Sequence, residues 1–455
     1  MAASLKQSTS GINYVPVVSV GTNMPSSAGS QCKNMYRTSV LVLLGLILIS
    51  PFMWVKLDGS KMALTVVASV STLKGSSEYA DRMLLGTNSN SINGHLYPSD
   101  SNKPCMKPKK SHSVPELESI HEWVSDKSFE RESVTLLTQL SIDRLSMLEN
   151  QCQAWDDPLV AVVYVPLIQG GKVYGSESSL ADITRGVSSF FSLMEGTSSC
   201  KLHIELVAQY IDNERTNPYP INALRNRAMK LAQTELIFVL DVDFVASPRL
   251  GLEGVGYKDP EVYNQLVNIA MNKKAIVAPA FELTNRQIEP ILGENYAKDL
   301  AMSGKSAIIK GYKAGSVDFF NAHDAPWGHG PTNTSRWIML SNPIIYKVKY
   351  EPKYEPFVIL AKNIAPWADE RFVGYGGNKI AYINQLKGMD FTFHVHPYAF
   401  SVHVPHHRTK AADIFVAHKK SGHSTIEELR VEVASMIKKG TYVPVVSACS
   451  DVEKA

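Results

Sequence analysis

From residue 158 onward, short runs of apolar, largely β-branched residues alternate with stretches that are apolar only at helical spacing. Residues 159–167 (LVAVVYVPL), 202–210 (LHIELVAQY) and 235–244 (ELIFVLDVDF) are almost unbroken apolar runs, the pattern of strands covered on both faces. Residues 181–195 and 222–234, lying between them, read as amphipathic helices. Further on, 261–274 reads as a helix and 275–283 (AIVAPAFEL) as a strand. Such alternation predicts an α/β domain around a largely parallel, buried sheet. Ligands of open sheets of this kind bind beyond the carboxyl ends of the strands. Upstream, residues 113–129 and 133–151 carry apolar residues at helical spacing, the second through Leu136, Leu140, Leu145 and Leu148. Both predict helices.

The N-terminal third has a different pattern. Residues 1–38 contain no acid but hold Lys6, Lys33 and Arg37, and residues 40–55 carry no charge at all. A buried core helix would keep some polar positions, and a cleaved signal peptide would start nearer the N-terminus. The expectation is a cytosolic tail over 1–38 and a transmembrane signal anchor over 39–57, oriented by the basic tail. Residues 58–115 are rich in Ser, Asn, Gly, Lys and Pro, which predicts a flexible stem. Residues 116–155 would be a helical stem or the start of the catalytic domain, and 156–445 the catalytic domain itself. This orientation puts Cys105, Cys152, Cys200 and Cys449 in an oxidising lumen, where up to two disulfides can form in any of three pairings. Cys32 stays cytosolic and reduced.

Composition narrows the function. A formal charge of +3 and the lack of a long basic run argue against nucleic acid. No CxxC pair supports a zinc ribbon or a redox motif. The chemistry gathers where the 235–244 run ends in Asp241 and Asp243, two hard carboxylates suited to Mg²⁺ or Mn²⁺ bridging a diphosphate. A pair of acids in a surface turn is the plainer alternative, and the apolar strand before them weighs against it.

The order of segments resembles family 49 glycosyltransferases, the group of the LARGE C-terminal domain and a β-1,4-glucuronyltransferase. The resemblance runs over about residues 133–410, through SVTLLTQLSIDRLSMLENQCQAWDDPLVAVVYV, YPINALRNRAMKLAQTELIFVLDVDFVAS, GHGPTNTSRW, YEPFVIL, DERFVGYGGNK and AFSVHVPH in that order. It implies a GT-A fold, a UDP-sugar donor, Mn²⁺ (with Mg²⁺ as substitute), an inverting transfer to a glycan or glycoprotein acceptor, and a single-pass type II Golgi membrane location. A homodimer is a further expected partner.

Carried over by residue, Asp241 and Asp243 match the metal-binding pair. His403 is expected to complete it, with His406 as the competitor. Arg225 and Asn226 match a Leu-Arg-Asn segment facing the donor. Asp369 or Glu370 is expected to serve as the base that inversion requires, with Asp369 preferred. The turn after them, with Gly376, Asn378 and Lys379, is expected against the sugar. His329 and Trp337 are expected to shape the pocket, alongside Tyr354-Glu355-Pro356-Phe357. Where the family commonly has Trp after Tyr-Gly, this chain has Gly376-Gly377, a departure that bears on acceptor specificity. If the donor carries a uronate, Arg225, Lys305 or Lys379 would meet its carboxylate. Glucuronate is the leading donor sugar, with xylose, glucose and galactose as alternatives. The rival class is a catalytically silent glycan-binding scaffold. A sequon stands at Asn333, inside the His329 motif, where crowding is expected to exclude glycosylation.

Overall fold

The computed structural model describes residues 55–56, 65–66, 103–109, 112, 114–168, 170–212, 218–252, 254–341, 343–406 and 425–449. The chain divides into two compact units, residues 1–93 and 94–455. In the first, Val55–Lys56 pairs antiparallel with Thr65–Val66. Val55 and Lys56 therefore stand in a strand rather than at the end of a helix, as suits the β-branched Val55. The cytosolic tail and the rest of the predicted anchor lie outside the described residues. No helix among the described residues is long and apolar enough to cross a membrane.

The second unit is a mixed α/β structure built on a ten-stranded sheet. Its order is Tyr346–Val348, Thr392–Val395, Lys274–Ala278, Phe357–Ala361, Leu236–Val239, Val134–Ser141, Pro158–Ile168, Lys201–Tyr210 and Glu118–Val124, with Lys172–Val173 paired to Pro158–Ile168. The four strands from Leu236–Val239 to Lys201–Tyr210 are mutually parallel. Phe357–Ala361 joins them antiparallel, so the sheet is mixed rather than largely parallel. A smaller sheet of four strands runs Val317–Phe319, Ala280–Leu283, Ser401–His403, Phe244–Ala246.

Central strands alternate their side chains between two separate cores. Leu136 and Leu140 enter one core and Leu137 the other; Val160 and Val162 oppose Leu159, Ala161 and Val163 in the same way. A strand buried on both faces shows no polar period, which is why these segments read as continuous apolar runs. The same fact explains a correction. Residues 134–141 form a central strand rather than a helix, and the helix begins only at Leu145, after a 3₁₀ turn over Ile142–Arg144. Leu136 and Leu140 are four apart, a spacing that also keeps them on one face of a strand. Residues 118–124 are likewise an edge strand, paired with Lys201–Tyr210.

The single strand expected over 275–283 is two strands, one in each sheet, broken at Pro279, which has no N–H to give a ladder. The expected helices form as Leu180–Thr197, Ile221–Leu231 and Pro260–Met271. Two disulfides settle the open pairing: Cys105–Cys449 and Cys152–Cys200. Beside the first, Met106 exchanges backbone hydrogen bonds with Pro444 and Val446, so this part of the segment read as stem is fastened to the fold.

Candidate active site

The strand Leu236–Val239 ends before the acids, and Leu240 to Asp243 form a turn that crosses from the large sheet to the small one. The turn is closed by Phe244 N–H on the Asp241 carbonyl at 3.1 Å. Gln151 fixes it from behind, donating to the carbonyls of Asp241 and Phe244 at 3.0 and 2.8 Å. The crossing aims the two carboxylates at different partners.

Asp241 faces two cations. The Arg225 guanidinium donates to its Oδ1 and the Lys379 ammonium to its Oδ2, both at 2.8 Å. Burial pushes the Asp241 pKa up, but Lys379 and Arg225 outweigh it and hold the carboxyl well below the usual range. Arg225 is itself oriented by Asn378, whose Oδ1 accepts at 2.8 Å. Lys379 lies 3.9 Å over the centre of the Phe357 ring. These side chains line a mainly apolar recess with Pro356, Phe357 and Tyr382.

Asp243 faces two imidazoles. His406 Nε2 lies 3.0 Å from its Oδ2, and Arg144 approaches the same oxygen at 3.4 Å. Its Oδ1 is buried and has no hydrogen-bond partner among the described residues. Ligand atoms of Asp243, His403 and His406 all fall within 4.8 Å of one another. One carboxylate and two imidazoles form a donor set suited to a borderline divalent cation, and the orphaned Oδ1 is an atom such an ion would satisfy. Burial holds the His403 pKa down at about 4 despite the pull of Asp243, so its ring is neutral and able to ligate at pH 7. Phe244 and Phe320 flank that ring at 5.0 and 5.1 Å. His403 and His406, weighed as competitors, therefore stand together, while Asp241 is absent from the cluster because the two cations hold it.

Other expected residues fall elsewhere. Asn226 is buried and spends its amide on the Ala368 carbonyl, the Ala368 N–H and Glu370, so no edge is left to read a ribose or base. Trp337 is wholly buried, donates to the His396 carbonyl and packs on Phe281 and Phe400; it belongs to the core rather than to a pocket wall. Lys305 lies over the Trp337 ring and donates to the Pro397 carbonyl. His329 is buried between Phe320 and Phe357, and burial pushes its pKa down to about 3, with Lys379 adding to the shift. Gly376 and Gly377 have φ of +88° and +73°, so the turn needs glycine for its backbone alone. Asn333 is exposed and caps the helix Thr334–Met339, so the expected crowding at the sequon is not found.

The expected bases are also committed. Asp369 and Glu370 are 3% and 2% exposed. Both oxygens of Asp369 accept from Arg371, and one also from Tyr442. Glu370 accepts from Asn226 on one oxygen and from the Ser447 amide and hydroxyl on the other. All four oxygens accept hydrogen bonds within the fold, holding the turn and the C-terminal segment together. Arg144 also belongs to this site, within the SIDRL stretch at the start of the resemblance; nothing local marks it, and only the packing of residues 144 and 243 reveals it.

A sequence model of the family described as "Glycosyl-transferase for dystroglycan" matches residues 133–433. Over 273 residues the chain is 32% identical to xylosyl- and glucuronyltransferase LARGE1 of Gallus gallus, covering 60% of this chain and 31% of that protein. Its match to LARGE2 of Mus musculus is also 32% over 273 residues, covering 60% and 34% respectively. The matched region is thus about a third of the length of these relatives. Among solved structures, S. aureus TarS in complex with UDP-GlcNAc aligns with a TM-score of 0.28 and 9% identity, over 67% of this chain and 71% of that one.

Proposed function

The chain belongs to the family of glycosyltransferases for dystroglycan, and on that footing we propose that it is a GT-A, divalent-metal-dependent, inverting transferase of a sugar from a UDP-sugar to a glycan hydroxyl. The observation that carries this reading is the turn Asp241–Asp243, which presents one carboxylate to Arg225 and Lys379 and the other to two histidines. Arg225 and Lys379 are suited to hold the diphosphate, Arg by its planar fork and Lys as a point charge. Asp243, His403 and His406 would hold Mn²⁺ or Mg²⁺, which when bound supplies charge stabilisation to the departing diphosphate. Asp241 completes the site by orienting the two cations.

Relatives named xylosyl- and glucuronyltransferases support UDP-glucuronate and UDP-xylose as first donors, with UDP-glucose and UDP-galactose behind them. For a glucuronate donor, Arg225 or Lys379 is the cation within the site, because Lys305 is packed on Trp337. The acid-free tail and the uncharged run 40–55 support a type II anchor that holds the catalytic unit in the Golgi lumen.

The chain of residues 1–455 should transfer from one of these four donors to aryl β-xyloside or aryl β-glucuronide acceptors with Mn²⁺, and stop with chelator. Asp243→Ala should abolish turnover. A complete absence of transfer and of donor hydrolysis with all four donors would favour a silent glycan-binding scaffold. Turnover that survives chelator or Asp243→Ala would remove the metal assignment.

A further inference from the structure

We infer that Glu355 is the group that takes the proton from the acceptor hydroxyl. The inference rests on the reading of the chain as an inverting glycosyltransferase. Inversion requires a base on the acceptor side of the sugar, and the two expected acids are buried and hydrogen-bonded within the fold.

Glu355 stands at the entrance of the strand Phe357–Ala361, which runs antiparallel to Leu236–Val239 with Val358 opposite Val239. That register sets the start of one strand beside the end of the other. Glu355 therefore comes to the same sheet edge as Asp241, and Pro356 and Phe357 line the recess that Arg225, Asp241 and Lys379 share. Its backbone is fixed on both sides. Pro356 restricts the preceding residue to extended conformations, and the Glu355 N–H donates to the Gly328 carbonyl at 2.8 Å. A Cβ on Gly328 would lie 2.9 Å from Glu355 Oε1, so glycine there leaves room for the carboxylate.

The surroundings suit a base that meets a sugar. Among the described residues the Glu355 carboxylate has no hydrogen-bond or ion-pair partner. Burial raises its pKa, opposed by Lys379 and Arg225 and assisted by Asp241, which gives a stronger base than an ordinary glutamate. Next to Gly328, Trp327 is 48% exposed with Lys353 Nζ 5.3 Å from its ring, an aromatic face on which an acceptor sugar can stack. In the step assigned to Glu355, its carboxylate accepts the hydroxyl proton while the acceptor oxygen bonds to the anomeric carbon. The bond from that carbon to the diphosphate oxygen breaks, and its electron pair leaves with UDP between Arg225 and Lys379.

The test uses the chain of residues 1–455 with Mn²⁺, UDP-glucuronate and UDP-xylose as donors, and the two aryl glycosides as acceptors. Glu355→Gln should lower kcat by about 10²–10⁴-fold and leave the Kd for UDP unchanged. The acidic limb of the wild-type kcat/KM profile should vanish in that variant, and formate should restore part of the turnover of Glu355→Ala. Three results would overturn the inference: near-wild-type turnover of Glu355→Gln, an acidic limb that persists in it, or UDP binding lost in parallel with turnover. An inactive wild type sinks the transferase reading and this inference with it, whereas an active wild type beside an active variant sinks the inference alone.

Discussion

At the Asp243 carboxylate, one oxygen holds His406 and the other is sealed from solvent with no partner among the described residues. An orphaned buried oxygen costs about 1–3 kcal/mol, so an ion that reaches it should stabilise the fold. Mn²⁺ should raise the Tm of the wild type, and Asp243→Asn should erase that rise in a thermal scan. Transfer should fall by more than about 100-fold in the same variant, since even groups behind the ligands of metal sites change affinity by about 10–100-fold. A different titration belongs to His396, which is buried far along the chain from the turn. Its Nδ1 accepts from the amides of Tyr398 and Ala399, and its Nε2 meets the Leu250 carbonyl, which fixes a neutral ring. Burial pushes its pKa down to about 3 from an ordinary 6.5, with the Leu250 carbonyl opposing and Lys305 assisting the shift. Below pH 6.5 the unfolded chain then binds the extra proton, so this contribution is full above 6.5 and is lost as pH falls toward 3. Denaturant midpoints measured from pH 7.5 to 4 should fall through that window, and His396→Gln should show a shallower fall. Asp241 and Asp243 were legible in the sequence because an apolar run delivers them to a sheet edge. The internal partners of Asn226, Trp337, Asp369 and Glu370 were not legible, because residue type tells what a side chain can bond, not whether the fold has already used that capacity.

Among the elements, the strand Val134–Ser141, like Glu118–Val124, is one whose identity the pattern concealed. Helices and doubly buried strands both repeat at four residues, and only neighbours on both sides distinguish them. Those neighbours, Pro158–Ile168 and Leu236–Val239, lie more than a dozen residues away in sequence. Leu136→Ala should reveal the burial directly. Removing a fully buried Leu costs about 2–5 kcal/mol, which equilibrium denaturation would read as a lower midpoint at unchanged slope. A helix on the surface of a stem would lose far less. The strand 275–283 failed for the opposite reason. Its apolar run was genuine, yet Pro279 divides it between two sheets, and it is this division that lets Ser401–His403 pair beside Ala280–Leu283 and bring His403 to the turn. By contrast, the helices at 180–197, 221–231 and 260–271 were legible because each has one dry face and one wet face.

For the whole molecule, alternation of strand and helix was enough to foresee an α/β core, and the family resemblance foresaw its order. The mixed sheet was not foreseeable, since the direction of Phe357–Ala361 is set by the long excursion from Ala280 to Pro356 and not by anything local. Covalent closure was equally hidden, because four cysteines allow three pairings. The observed bond Cys105–Cys449 spans 344 residues, with its Cα atoms 5.9 Å apart. Cys105→Ser should lower stability by about 2–5 kcal/mol, to be read by denaturant titration in the absence of reductant. The bond closes the stretch from Cys105 to Cys449 into a covalent ring. A protease that nicks one surface loop of the ring releases no fragment until a reductant is added.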